Sequence, residues 1–171
     1  MSHVLRACAL EGEGIARLTR ELNRNAFLCG CLDFTEHERV EHLVVGLGRK
    51  AGSTTKVQNV LHAVGSTGAV ALPESFKTAI SQFVRSETRA SVVMFHNHPP
   101  HPIRRLLDNV PLASDADRRL MLAFQLLSIR LGRHDIFRFY IGENGFVREF
   151  HTPQFMGIWD ALKQAGTGGR P

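Results

Sequence analysis

The sequence feature that most constrains this chain is an apolar run that ends abruptly in two histidines and a proline. Residues 91 to 95 read Ser-Val-Val-Met-Phe, and His96-Asn97-His98-Pro99 follows directly. Five residues rich in β-formers and stopped by a proline predict a short buried strand. Because residues i and i+2 of a strand point to the same side, His96 and His98 should project together from its carboxyl end. Two imidazoles on one face can bind one cation, and zinc favours nitrogen ligands of this kind.

A zinc site needs a third protein ligand, and the best candidate in the sequence is Asp117. The segment from Ser114 to Asp117 opens a helical pattern whose apolar stripe consists of Leu120, Phe124, Leu127 and Leu131. Asp117 should lie on the core-facing side of this helix, where a carboxylate without a partner is costly and a metal would supply the partner. Ser114 and Asp117 also fit a capping box at the start of a helix. The two roles are compatible, since Ser114 can cap the helix while Asp117 coordinates.

The order of these residues resembles a known motif. His96-Asn97-His98-Pro99 followed by Ser114-x-x-Asp117 is similar to the JAMM motif of MPN-domain metallohydrolases, and the asparagine between the histidines is closest to the RadC-like (JAB-domain) branch. The resemblance covers about residues 41 to 150. One departure is the segment from Pro100 to Ala113, which is longer than its counterpart in the family. Asp108 and Asp115 are therefore alternatives to Asp117, although neither has a serine three residues before it.

The resemblance implies a zinc-dependent hydrolase that cleaves peptide or isopeptide amide bonds. Carried over position by position, it makes His96, His98 and Asp117 the Zn²⁺ ligands, Ser114 the donor to the oxyanion of the intermediate and Glu41 the general base and acid. Glu41 stands at the start of a predicted core strand, where it could equally be a solvated charge at the strand edge, and Glu38 and Glu74 are alternatives for its role. The implied partner is a peptide or protein-conjugate substrate, which the sequence does not identify further.

Alternating strand and helix patterns predict the fold class. Helices are expected over residues 73 to 87 and from 114 to about 132, and strands near 43–47, 57–64, 91–95, 136–141 and 146–150, with a polar turn or flexible loop over 49–55. This pattern predicts an α/β (α+β) sandwich in which a mixed, curved β-sheet is flanked by helices. The resemblance implies the MPN/JAB architecture, with its cytidine deaminase-like layering.

The chain divides into three predicted parts. Residues 1–37 form an N-terminal helical extension, in which Ile15, Leu18 and Leu22 predict a helix near residues 12 to 25, followed by a loop. Residues 38–151 form the RadC-like MPN/JAMM domain. Residues 152–171 form a C-terminal segment and tail. His62 is expected to be a strand histidine, not a ligand.

Composition narrows the function classes further. The chain has 171 residues, of which 43% are hydrophobic and 22% charged, as in ordinary globular domains. No apolar run approaches the roughly 20 residues of a membrane span, and the first residues lack a signal-peptide core, so a cytoplasmic protein without a membrane partner is expected. The net charge of +5 permits nucleic-acid contact, but the basic residues are scattered and do not support it. The alternative function is a RadC-like non-catalytic or DNA-repair-associated metal-binding module.

Overall fold

The computed structural model describes residues 13–99, 113–133 and 135–150, which form a mixed α+β fold. In chain order the elements are β1 (Glu13–Asn23), α1 (Arg24–Thr35), β2 (His42–Ala51), β3 (Thr54–Val64), α2 (Glu74–Ser86), β4 (Ala90–Asn97), α3 (Asp115–Arg130), β5 (Phe137–Glu143) and β6 (Phe146–Phe150). None of the helices in these residues is long and apolar enough to cross a membrane.

The six strands form one mixed sheet in the order β1-β3-β2-β4-β5-β6. Neighbouring strands are antiparallel except β4 and β5, which are parallel and are joined by the long connection that contains α3. A parallel pair needs such a crossover, because the chain must return to the same end of the sheet. The strand that contains His96 and leads directly into His98 therefore lies inside the sheet, between β2 and β5.

Helices pack on both faces of this sheet. On one face, which we call the α2/α3 face, odd-numbered residues of β2 such as Leu43 and Val45 meet α2 and α3 through Phe76, Ile80 and Phe124. On the opposite α1 face, Val44 joins a cluster with the α1 residues Phe27, Cys31 and Phe34. Consecutive strand residues alternate between the two cores, as the pleat requires. Fully burying each large apolar side chain contributes roughly 1.5–3 kcal/mol, so both cores hold the sheet in place.

The mixed sheet flanked by helices is confirmed, and so are the helices predicted after residues 73 and 114. The polar turn or flexible loop predicted over 49–55 is a turn and is shorter than expected, because β2 extends to Ala51 and β3 begins at Thr54. Gly52 supplies the left-handed backbone of that turn, with φ 61°. The C-terminal segment and residues 100–112, including Asp108, lie outside the described residues.

The helix predicted near residues 12 to 25 is wrong. These residues form β1, an edge strand paired with β3, and the predicted loop after it is the helix α1. The register of β1 shifts between Arg17 and Leu22, and this irregularity disrupts the period-two pattern that would mark a strand. The side chain of Asn23 accepts a hydrogen bond from the Ala26 amide at 2.9 Å, so an asparagine interpreted as a loop signal is in fact the N-cap of α1.

Candidate metal centre

Two histidines and two acids from three separate segments meet at the end of β4. His96 lies opposite Leu43 of β2 and Ile141 of β5, which places its side chain on the α2/α3 face. Glu41 comes two residues before Leu43 and points to that same face. Asp117, in the first turn of α3, lies over the end of β4. The convergence expected from the sequence therefore exists in the fold.

The His96 ring lies between two carboxylates. Its Nδ1 atom is 2.7 Å from Asp117 Oδ1, and its Nε2 atom is 3.0 Å from Glu41 Oε2. All three side chains are largely buried, which strengthens these contacts relative to those of a solvated pair. Each nitrogen of this imidazole thus already has an acidic partner.

His98 completes the cluster. Its Nε2 atom is 3.3 Å from Asp117 Oδ2, and its ring stands edge-on to that of His96 with the centroids 4.9 Å apart. One ligand atom each from Glu41, His96 and His98 can be chosen so that all three lie within 4.8 Å of one another, a group that could hold a metal ion. Asp117 lies outside that trio but contacts both imidazoles, so the site offers four donor side chains.

The electrostatics of the site favour a positive charge at its centre. Burial alone lowers the pKa of His96, but hydrogen bonds and charge from Asp117 and Glu41 outweigh it and raise the pKa to about 9. Burial raises the pKa of the Asp117 carboxyl, but hydrogen bonds from His96, His98 and Ser114 hold it well below its ordinary value. At neutral pH His96 is therefore an imidazolium between two carboxylates, and a divalent cation would compete with its protons for the same acids.

The first turn of α3 contains the predicted capping box. Ser114 is the N-cap: its hydroxyl accepts from the Asp117 amide at 3.2 Å and donates to Asp117 Oδ2 at 2.7 Å, and its own amide donates to the same oxygen at 2.8 Å. These bonds satisfy helix-end groups and also fix the Asp117 carboxylate against the histidines. Ser114 thus has a positioning contact with Asp117 that is distinct from the oxyanion contact expected of it.

The alternative acids lie elsewhere. Asp115 is exposed and pairs with Arg118 at 3.6 Å, and Glu74 is exposed and pairs with Lys77 at 2.7 Å. Glu38 lies 3.8 Å from His42 Nε2, a histidine of the other face. The described candidates therefore reduce to Glu41 and Asp117, the two acids that touch His96.

Asn97 is a buried residue whose part in the site the sequence did not reveal. Its side chain points to the α1 face, where Oδ1 accepts from the His42 amide at 2.5 Å and Nδ2 donates to the Val40 carbonyl at 3.2 Å. The two bonded residues flank Glu41 in the chain. The backbone of Glu41 fixes the same stretch from the other side. Its N–H donates to the Ser66 carbonyl, and its carbonyl accepts from the Gly65 amide, both at 2.8 Å.

Comparison with known proteins adds no identification, because no protein-family model and no curated protein matches this chain. The chemistry of the donor set is informative by itself. Imidazole nitrogens with carboxylate oxygens suit Zn²⁺ and other first-row divalent cations, and two acids beside two histidines supply enough donors for one ion. The site can therefore hold a metal ion, whose identity the donors leave open.

Proposed function

We propose that this chain is a zinc-dependent hydrolase that cleaves an amide bond in a peptide or isopeptide substrate, built on an MPN/JAB architecture. The observation that carries the proposal is the meeting of Glu41, His96, His98 and Asp117 at one largely buried point. The resemblance of His96-Asn97-His98-Pro99 and Ser114-x-x-Asp117 to the JAMM motif supports the same reaction. Neither observation identifies the protein that would be cleaved.

His96, His98 and Asp117 would hold the zinc. A bound Zn²⁺ acts as a Lewis acid and lowers the pKa of a coordinated water towards about 7. A catalytic zinc keeps three protein ligands and leaves one position for water. Four protein ligands would fill that position, so one of the two acids must take another role. Asp117 contacts both histidines, whereas Glu41 contacts His96, and we therefore assign Asp117 to the ion.

Glu41 is then the general base and acid. Its Oε2 atom lies at the His96 edge of the site, and its backbone is hydrogen-bonded to Gly65 and Ser66, so the carboxylate is presented by a fixed stretch of chain. It accepts a proton from the attacking water at Oε2 and afterwards gives that proton to the leaving amine nitrogen. The amide carbon–nitrogen bond breaks, and the water oxygen remains on the new carboxylate.

Ser114 would donate to the oxyanion that forms on the substrate carbonyl. In the structure its hydroxyl donates a hydrogen bond to Asp117 Oδ2. If Asp117 offers that oxygen to a metal, the hydroxyl can turn to another acceptor, and an oxyanion is the stronger one.

The test combines metal content with turnover. The purified chain should bind one zinc and cleave members of a mixed peptide library or a lysine-isopeptide conjugate, with cleavage lost on chelation and restored by zinc. Glu41→Gln should keep the zinc and slow cleavage by about 10²–10⁴-fold, the range for a lost acid–base group. Glu74→Gln, the same change at an exposed glutamate, is the matched control and should cleave normally.

Three results would separate the alternatives. A wild-type chain that binds no zinc would refute the metal site. Zinc binding without cleavage of either probe would favour the non-catalytic metal-binding module. If Glu41→Gln binds zinc much more weakly than wild type, Glu41 is a ligand instead of the base, and Asp117 would position the histidines without binding the ion.

A further inference from the structure

Glu143 is a buried acid beside the proposed centre to which the JAMM resemblance assigns no role. It is the last residue of β5, and its side chain is only 4% exposed. The sequence places it in a turn, Gly142-Glu143-Asn144-Gly145, where an acid is expected in solvent. Burying a carboxylate costs free energy unless polar or charged groups interact with it, so the groups around Glu143 indicate its role.

The sheet register brings Glu143 next to His98. β4 and β5 run parallel, with His96 opposite Ile141 and Asn97 opposite Gly142, and the His98 amide donates to the Gly142 carbonyl at 2.8 Å. The residue after Asn97 is His98, just beyond β4, and the residue after Gly142 is Glu143, so the two lie side by side. Because Ile141 shares a face with His96, alternation puts Glu143 on the α2/α3 face with His98.

Gly142 makes this close approach possible. A Cβ at this position would lie 2.5 Å from the ring of Phe95, which is a fully buried side chain of β4. Any larger residue would push the end of β5 away from β4. Glycine keeps the two strand ends together, and with them Glu143 and His98.

The two ring nitrogens of His98 have different surroundings. Nε2 faces Asp117 Oδ2 at 3.3 Å, on the side of the proposed ion. Nδ1 is buried and makes no hydrogen bond within the described residues, but Glu143 Oε2 is 3.9 Å away. This separation exceeds a normal hydrogen bond, and a small rotation of either side chain would close it.

We propose that Glu143 is the positioning residue of His98, accepting a hydrogen bond from Nδ1–H and so keeping the Nε2 lone pair directed at the metal. The inference rests on the metal centre proposed above, and it adds the acid that fixes one ligand. Metal-bound histidines commonly donate their second N–H to a carboxylate, which sets the tautomer and ring orientation and raises the basicity of the ligand nitrogen. In this arrangement Asp117 would bind the ion directly, whereas Glu143 would hydrogen-bond to a ligand, His98, without touching the ion.

The first experiment measures zinc affinity by competition with a chromophoric chelator. Glu143→Leu, which keeps the approximate volume but cannot accept a hydrogen bond, should weaken zinc binding by about 10–100-fold. Glu143→Gln can still accept a hydrogen bond but carries no charge, and should fall between Leu and wild type. Glu149→Gln removes a charge from the same hairpin, where Glu149 pairs with Arg138 at 3.1 Å, and should leave the affinity unchanged.

The second experiment follows the His98 Nδ1–H proton by ¹H,¹⁵N NMR of the imidazole rings in the zinc-loaded full chain, with the His98 signals assigned by through-bond correlation along the side chain. Zinc on Nε2 leaves the proton on Nδ1, and a hydrogen bond to Glu143 should move its wild-type signal to low field and slow its exchange with water. In Glu143→Leu the signal should move to higher field and exchange faster. A merely structural role for Glu143 would change stability without changing this signal. An unchanged signal in Glu143→Leu, or unchanged zinc affinity in that folded variant, would overturn the proposal. A wild type that binds no zinc would refute the metal centre itself, whereas zinc binding without cleavage would refute only the hydrolase and leave this test in force.

Discussion

Two histidine pairs lie on opposite faces of the same sheet, and their surroundings differ sharply. His96 and His98 are on the α2/α3 face beside three acids, Glu41, Asp117 and Glu143. His42 and His62 are on the α1 face, with their rings stacked at 9° and with His42 Nδ1 2.9 Å from His62 Nε2. The Phe34 ring stands nearly perpendicular to both of these rings, with centroids 5.3 and 5.4 Å away.

The contrast teaches that closeness of two imidazoles does not by itself make a metal site. In the His42–His62 pair one nitrogen of each ring is used by the other ring, and burial lowers the pKa of His42, which favours its neutral form. In the other pair both nitrogens of His96 face carboxylates, and the pKa of His96 rises to about 9. The buried acids Glu41 and Asp117 make the difference, since Glu38, the acid near His42, is half-exposed and lies 3.8 Å from His42 Nε2.

The largest expected effect comes from removing one histidine of each pair. His98→Ala should reduce zinc affinity by more than about a hundredfold, beyond the range for losing an outer contact, while the chain stays folded. His62→Ala should keep one zinc per chain but lower the melting temperature, because a fully buried side chain is lost. Zinc content by mass spectrometry and thermal unfolding by circular dichroism measure the two effects. Loss of zinc from a folded His62→Ala would show that the two pairs are not separate in function.

The two pairs should also respond to pH in opposite directions in the chelator-treated protein. The folded pKa of His96 is about 9 and its unfolded value is 6.5, so its stabilisation is complete below pH 6.5 and is lost as pH rises through 9. The difference between the two pKa values corresponds to at most roughly 3.5 kcal/mol of folding free energy. The folded pKa of His42 is lowered, so its contribution is present above pH 6.5 and is lost as pH falls.

The free energy of unfolding, measured by urea titration across this range, checks both signs. His96→Gln should flatten the alkaline decline, and His42→Gln should flatten the decline on the acid side of pH 6.5. A His96→Gln variant that retains the full alkaline decline would contradict the assignment of the imidazolium to this site.

Much of the candidate metal site could be predicted from sequence because its signals are local. The i, i+2 spacing of His96 and His98 on a strand stopped by Pro99 fixes their common direction, and Ser114 with Asp117 marks the start of a helix. Both features depend on a few neighbouring residues, and the structure contains both. That the two histidines contact Asp117 was a hypothesis from the motif, and the packing of α3 over the end of β4 produces this contact.

The contacts that the sequence did not reveal depend on strand order. Glu143 resembled a turn residue, and only the parallel pairing of β4 with β5 places it beside His98. His42 meets His62 because β2 pairs with β3 in one particular register, which no local pattern specifies. The edge strand β1 was predicted as a helix because its irregular register removes the alternation of apolar and polar side chains that marks a strand. Ile15, Leu18 and Leu22 are instead spaced by three and four residues, as on one face of a helix.

Asn97 connects the two faces and gives the smallest expected effect. It follows His96 on β4 but points to the α1 face, where it bonds the chain on both sides of Glu41 and is 2% exposed. Asn97→Ala would leave the His42 amide and the Val40 carbonyl without these bonds, which costs about 1–3 kcal/mol of folding free energy. It should also let Glu41 move, and so slow cleavage more than it weakens zinc binding.

A double-mutant cycle separates the two consequences. If Asn97 acts on catalysis through Glu41, Asn97→Ala should slow cleavage in the wild-type background and have little further effect in Glu41→Gln, although it destabilises the fold in both. Equal slowing in the two backgrounds would mean that Asn97 serves the fold alone. The Asn97 hydrogen bonds would then stabilise the fold without affecting the proposed metal centre, and the two histidine pairs would be independent.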